Sequence, residues 1–142
     1  MKVRIKNSTG KVLEYKTPGA CAFDFESLEK VTFAPGEWKL VDTGTVIATP
    51  IGYCLVIAPR SGTFKNYGLM QVNSIGIIDQ DYCGDNDTVK FAYINMRKEE
   101  VIIEKGERIG QGMFVKIEHP EFELVENMGG SDRGGFGTTG VK

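Results

Sequence analysis

Apolar and polar positions alternate along most of this chain, at the two-residue period of a half-buried strand. Met1–Lys6 begins the pattern. Ala22–Ser27 repeats it, with Phe23 and Phe25 on one face and Asp24 and Glu26 on the other. Val31–Phe33 is a short strand, and Ala34-Pro35-Gly36-Glu37 turns the chain. The branched residues of Trp38–Thr49 predict one longer strand. Pro50-Ile51-Gly52 then leads into Tyr53–Ala58. Leu69–Val72, Ser74–Ile78, Thr88–Asn95, Glu100–Ile103 and Arg108–Ile117 follow, with Glu121–Val125 as a last strand. Ser61–Tyr67 breaks the alternation and predicts a short helix, with Ser61 able to cap its start and Gly68 to stop it. About ten short strands between turn signals predict an all-β fold, an antiparallel sandwich or barrel such as a jelly roll. No internal repeat is visible.

Composition narrows the function. The 142 residues suffice for one domain with a real core. A net charge of −2 argues against a broadly basic surface for duplex nucleic acid. Cys21, Cys54 and Cys83 are odd in number and far apart, which fits a reducing, cytoplasmic setting better than a disulfide framework or a zinc site. His119 is the only histidine, so catalysis by a Ser-His or Cys-His pair would depend on that one residue. No apolar run approaches the ~20 residues of a membrane span. From residue 127 onward glycine dominates, so residues 127–142 read as a Gly-rich tail on a domain spanning residues 1–126.

The richest chemistry lies in Gly76–Gly84, Gly-Ile-Ile-Asp-Gln-Asp-Tyr-Cys-Gly. Ile75–Ile78 reads as a strand, and Asp79 stands where it ends. A carboxylate held by a rigid element yet close to solvent suits a general base.

Four further segments stand with this one: Ala22–Ser27, Ala58-Pro59-Arg60-Ser61-Gly62, Gly106-Glu107-Arg108-Ile109-Gly110-Gln111, and Arg133-Gly134-Gly135-Phe136-Gly137-Thr138-Thr139-Gly140. With Asn73–Gly84 they resemble, in order and rough spacing, the five motifs of the trimeric dUTP diphosphatase (dUTPase) family. The resemblance implies a distorted jelly-roll barrel assembling as a homotrimer with active sites at subunit interfaces. It also implies hydrolysis of dUTP to dUMP and pyrophosphate by water attack at the α-phosphorus, which keeps uracil out of DNA. Neither a nucleic-acid nor a membrane partner is expected.

Residue by residue, Asp79 matches the aspartate that orients and deprotonates the water. Tyr82 matches the ring under the deoxyribose, and Asn73 a position near uracil. Arg60, Ser61 and Gly62 match the phosphate-binding segment, and Gln111 the glutamine on the α-phosphate. Asp24 matches the aspartate that reaches Mg²⁺ through water. Arg133, Gly137 and Thr138 match groups that grip the γ-phosphate, and Phe136 the aromatic that stacks on uracil, so the tail would be a flexible arm closing over the site. Arg108, by alternation, faces away from Gln111 and reads as structural. Two departures stand out. The chain from Tyr82 to Asn95 is longer than the family's usual spacing, with Asp85-Asn86-Asp87 as the insertion, and Arg133 to Phe136 is shorter. A dCTP deaminase on the same fold and a non-catalytic regulatory member of the family are the rival readings.

Overall fold

The computed structural model describes residues 1–135. Eleven strands and one short helix are formed among them. In chain order these are β1 (Ile5–Asn7), β2 (Phe23–Glu26), β3 (Val31–Phe33), β4 (Trp38–Asp42), β5 (Thr45–Ile47), β6 (Tyr53–Pro59), α1 (Thr63–Tyr67), β7 (Leu69–Gln71), β8 (Gly76–Ile78), β9 (Lys90–Asn95), β10 (Val101–Ile103) and β11 (Arg108–Lys116). The all-β expectation holds. All the pairings are antiparallel: a four-stranded sheet ordered β2-β11-β6-β8, a three-stranded sheet ordered β4-β9-β7, and the pairs β1-β5 and β3-β10.

The alternating residues of these sheets face each other and form one core. Phe23 and Phe25 of β2, Leu55 and Ile57 of β6, Val41 of β4 and Phe91 and Tyr93 of β9 all contribute to it. Phe25 meets Phe91 with centroids 5.6 Å apart, joining the large sheet to the smaller one. Each such side chain, fully buried, stabilises the fold by about 1.5–3 kcal/mol.

Three expectations change. Trp38–Thr49 is two strands, because Gly44 adopts a left-handed φ of 61° and its amide donates to the Asp42 carboxylate, 2.7 Å away. Such a φ suits glycine and breaks the ladder. The helix starts at Thr63 with Gly62 at the N-cap and no side-chain cap, so Ser61 does not cap it. Thr63 closes that turn instead, its hydroxyl accepting from the Arg60 amide at 3.1 Å. Gly68 stops the helix as expected. Glu121–Val125 forms no strand: Phe122 is 95% and Leu124 100% exposed.

The feature that shapes the site is a bulge in β11. Against β2, Gln111 pairs with Asp24 and Gly110 with Phe25, but Arg108 pairs with Glu26, leaving Ile109 as the extra residue. The buried Tyr93 hydroxyl donates to the Ile109 carbonyl at 2.7 Å. Burial pushes the Tyr93 phenol far above its ordinary value, and a hydrogen bond with Thr63 offsets part of that shift. Beside the bulge, a Cβ on Gly110 would lie 2.1 Å from the Phe91 ring, so only glycine fits. Tyr93→Phe is therefore expected to leave a buried carbonyl without its donor and lower stability by about 1–3 kcal/mol, read as a lower urea midpoint at unchanged m-value.

Candidate active site

Two groups of side chains stand at opposite ends of β6. The first gathers where β2, β6 and β11 run side by side. Asp24 accepts from Arg60 Nε through Oδ1 and from Arg108 through Oδ2, each at 2.9 Å. A bulge reverses the facing of what precedes it. Ile109 therefore turns Arg108 onto the same face of β11 as Gln111, which corrects the reading of Arg108 as a residue facing away. Gln111 donates from Nε2 to the Pro59 carbonyl at 3.0 Å, which occupies one of its two N–H groups. Ser61 is exposed beside Arg60, and Gly62 is half-buried at the helix start. A hollow of about 580 Å³ is lined by Lys16, Arg60, Arg108 and Tyr67 together with the carboxylates of Glu26 and Glu107. Desolvation raises the Tyr67 phenol above its ordinary value, and the negative Glu107 adds to it. Lys16, Arg60 and Arg108 thus share this region with the carboxylates of Asp24, Glu26 and Glu107.

The second group belongs to the turn after β8. Asp79 is exposed at the strand end, and its carbonyl accepts from the Tyr82 amide at 3.3 Å. Gln80 fastens the turn to β6, donating to the Tyr53 carbonyl at 3.1 Å. Tyr82 donates its hydroxyl to the Thr88 carbonyl at 3.2 Å, which fixes the ring on the flank of the loop. The longer loop closes on itself: the Gly84 amide donates to Asp87 Oδ2 at 2.7 Å, and the Asp87 amide to the Gly84 carbonyl at 3.0 Å. Lys6 of β1 holds Asp85 by its carbonyl and its carboxylate. Thr88 ties the loop's far end to Asp42 of β4.

Asn73 sits at the other end of β8 in a tight turn. Its Oδ1 accepts from Gln71 Nε2 at 3.2 Å, and its carbonyl accepts from the Ile75 amide at 2.6 Å. Ser74 between them holds a φ of 60°, unusual for a residue with a side chain. Arg133 is exposed. Phe136, Gly137 and Thr138 lie outside the described residues.

These two groups do not meet within one chain. Register pairs Leu55 with Ile78, so Asp79 continues opposite Cys54. Arg60 lies at the other end of β6, roughly 20 Å away at the rise of a strand.

The donors around Asp24 bear on the expected Mg²⁺. Among the described residues no three His, Cys, Asp or Glu side chains gather. Asp24 has both oxygens on guanidinium groups, but a carboxylate offers about four acceptor positions, so room for metal-bound water remains. The arrangement fits a metal held chiefly by the ligand's own phosphates, with Asp24 outside the inner shell.

The dUTPase family model matches residues 8–140. The chain belongs to the dUTPase family. It is 41% identical over 121 residues to a prophage-derived deoxyuridine 5′-triphosphate nucleotidohydrolase of Bacillus subtilis, covering 84% of this chain and 83% of that one. It is 38% identical over 144 residues to the deoxyuridine 5′-triphosphate nucleotidohydrolase of Nautilia profundicola, covering 99% of both chains. Among solved structures it is similar to a Staphylococcus bacteriophage 80alpha dUTPase with dUPNHPP, at TM-score 0.86 and 25% identity over 99% of both chains. The family's jelly-roll fold is therefore the fold of this chain, and among the described residues no helix is long and apolar enough to cross a membrane.

Asp24 is the pivot of the first group. Removing its charge by Asp24→Asn should loosen both arginines, weakening pyrophosphate binding about tenfold, a shift of ~1.4 kcal/mol. Calorimetric titration checks this. Stability should change by less than about 1 kcal/mol, because both arginines remain partly exposed to solvent.

Proposed function

We propose that the chain carries out its family's reaction, hydrolysis of dUTP to dUMP and pyrophosphate, with Asp79 as the base. The register of β6 carries the reading. It sets Asp79 and Tyr82 at one end and Asp24, Arg60, Ser61, Gly62 and Gln111 at the other. A complete site then needs Asp79 from one copy and the cationic group from another.

A homotrimer supplies that arrangement. Three observations support it. The first is the separation just described. The second is the outer face of the β4-β9-β7 sheet, where Trp38, Leu40, Met70 and Val72 leave an apolar surface open. The third is the segment after β11, whose Phe122, Leu124 and Met128 are at least 89% exposed. Apolar surface of this extent calls for a cover, and a second copy provides one.

In the reaction, the Asp79 carboxylate takes a proton from water as its oxygen attacks the α-phosphorus. A short side chain at a strand end does this without moving. Arg60, Ser61 and Gly62 hold phosphate oxygens, and a guanidinium already aimed by Asp24 loses little freedom in doing so. The free N–H of Gln111 faces the oxygen on which charge develops. Mg²⁺, when bound, neutralises phosphate charge, with Asp24 holding its water shell. Tyr82 packs against deoxyribose and leaves no space for a 2′-hydroxyl. Residues 127–142 complete the proposal as an arm over the nucleotide, with Phe136 stacking on uracil and Arg133, Gly137 and Thr138 on the γ-phosphate.

The test offers dUTP, dCTP, UTP and dTTP separately and measures pyrophosphate and ammonia together. Pyrophosphate from dUTP alone is expected, whereas ammonia from dCTP would favour a deaminase. Asp79→Asn should lower kcat about 10³-fold, in the range of general-base effects. Nucleotide affinity should stay within about tenfold. A fully active Asp79→Asn variant contradicts the assignment.

A further inference from the structure

Gln71 carries a feature that neither the fold nor the reaction above uses. It is the last residue of β7, paired with Tyr93 on the inner face of the sheet, and only 5% exposed. An apolar β-branched residue would suit that position. Instead a carboxamide stands there with only one of its two polar atoms matched. Nε2 donates to Asn73 Oδ1, while the buried Oε1 has no partner among the described residues. A buried polar group with no donor calls for an explanation.

The surrounding turn supplies one. The left-handed Ser74 and the short bond from the Ile75 amide to the Asn73 carbonyl fix the Asn73 backbone. Strained turns of this kind persist where geometry matters more than stability. The Asn73 side chain lies beside Gly76, whose missing Cβ leaves room for the amide Nδ2. The backbone is fixed by the turn, and the rotation of the amide is fixed by Gln71.

We propose that Gln71 is a positioning residue for base selection, holding Asn73 by its oxygen so that its NH₂ group is the end left to act as a donor. The inference rests on the reading of Asn73 as a base contact. An NH₂ donor accepts uracil, whose O4 is an acceptor, and disfavours cytosine, whose N4 amino group is itself a donor. Gln71 thereby sets the dUTP-over-dCTP preference without touching the nucleotide.

Position and stability should then separate. Gln71→Leu removes an unmatched buried oxygen and leaves the amide of Asn73 free to rotate. Steady-state hydrolysis of dUTP, inhibition by dCTP and thermal unfolding should be compared for Gln71→Leu, Gln71→Val, Asn73→Ala and the Gln71→Leu/Asn73→Ala pair. The expected result for Gln71→Leu is a KM for dUTP about tenfold higher, with kcat and the dCTP inhibition constant within about twofold. The melting temperature should be unchanged or higher, and the double variant no worse than Asn73→Ala alone. An unchanged KM in Gln71→Leu, with a raised KM in Asn73→Ala, overturns the positioning role alone. An unchanged KM in Asn73→Ala overturns the base contact and the inference with it. Failure of both Gln71 variants to fold would make Gln71 a structural residue and overturn the inference as well.

Discussion

The hydrogen bond from the Tyr93 hydroxyl to the Ile109 carbonyl sets the terms for this site. It is short, fully buried and made by the side chain at the centre of the core. It stabilises an extra residue in β11, and that extra residue decides which way Arg108 points. Without the bulge, strict alternation would place Arg108 behind the strand, away from Asp24. With it, Asp24 stands between two guanidinium groups, one from β11 and one from the end of β6. The cationic end of the protein thus depends on a contact in the middle of its core. Gly110 enforces the same arrangement sterically, because the Phe91 ring occupies the space of its absent Cβ.

The ion pairs themselves contribute little to folding. Both arginines keep water contact, so the pairs fall in the range of less than about 1 kcal/mol typical of partly solvated bridges. Their value is geometric. Asp24 fixes the direction of two flexible cations before any ligand arrives, which lowers the entropy lost on binding. The turn after β8 follows the same logic. Gln80, Thr88 and Lys6 tether it at three points, so Asp79 and Tyr82 stand on a braced loop. The insertion at Asp85–Asp87 is absorbed into that bracing. Its carboxylates face Lys6 and the Gly84 amide, and both partners lie within the chain.

Much of this was legible in sequence because it rests on local period. Alternation placed Phe23 and Phe25 inside and Asp24 outside, and it located β6, β9 and β11 to within a residue or two. Motif order pointed to the family, and the strand-end position of Asp79 followed from Ile77 and Ile78. What was not legible depends on contacts between distant segments. Nothing around Ile109 announces a bulge, since the hydroxyl that holds it comes from Tyr93. Ser61 looked like a helix cap, but Gly62 stands at the N-cap without a side-chain cap, and Thr63 closes the preceding turn onto the Arg60 amide. Trp38–Thr49 looked continuous because its side chains suit a strand, while the break comes from the backbone of Gly44. Gln71 drew no attention in an apolar strand, and only its burial and its unmatched oxygen mark it.

The central claim is that the working site joins Asp79 of one copy to the cationic group of another. Mixing two inactive variants tests it directly. Asp79→Asn and Gln111→Ala, unfolded together in equal amounts and refolded, would form mixed trimers. Some sites would then combine an intact Asp79 with an intact Gln111. Recovery of about a quarter of wild-type activity is predicted for random mixing in a cyclic trimer with one donor copy per group. A mixture no more active than its two components would place both groups of each site on one chain and contradict the account.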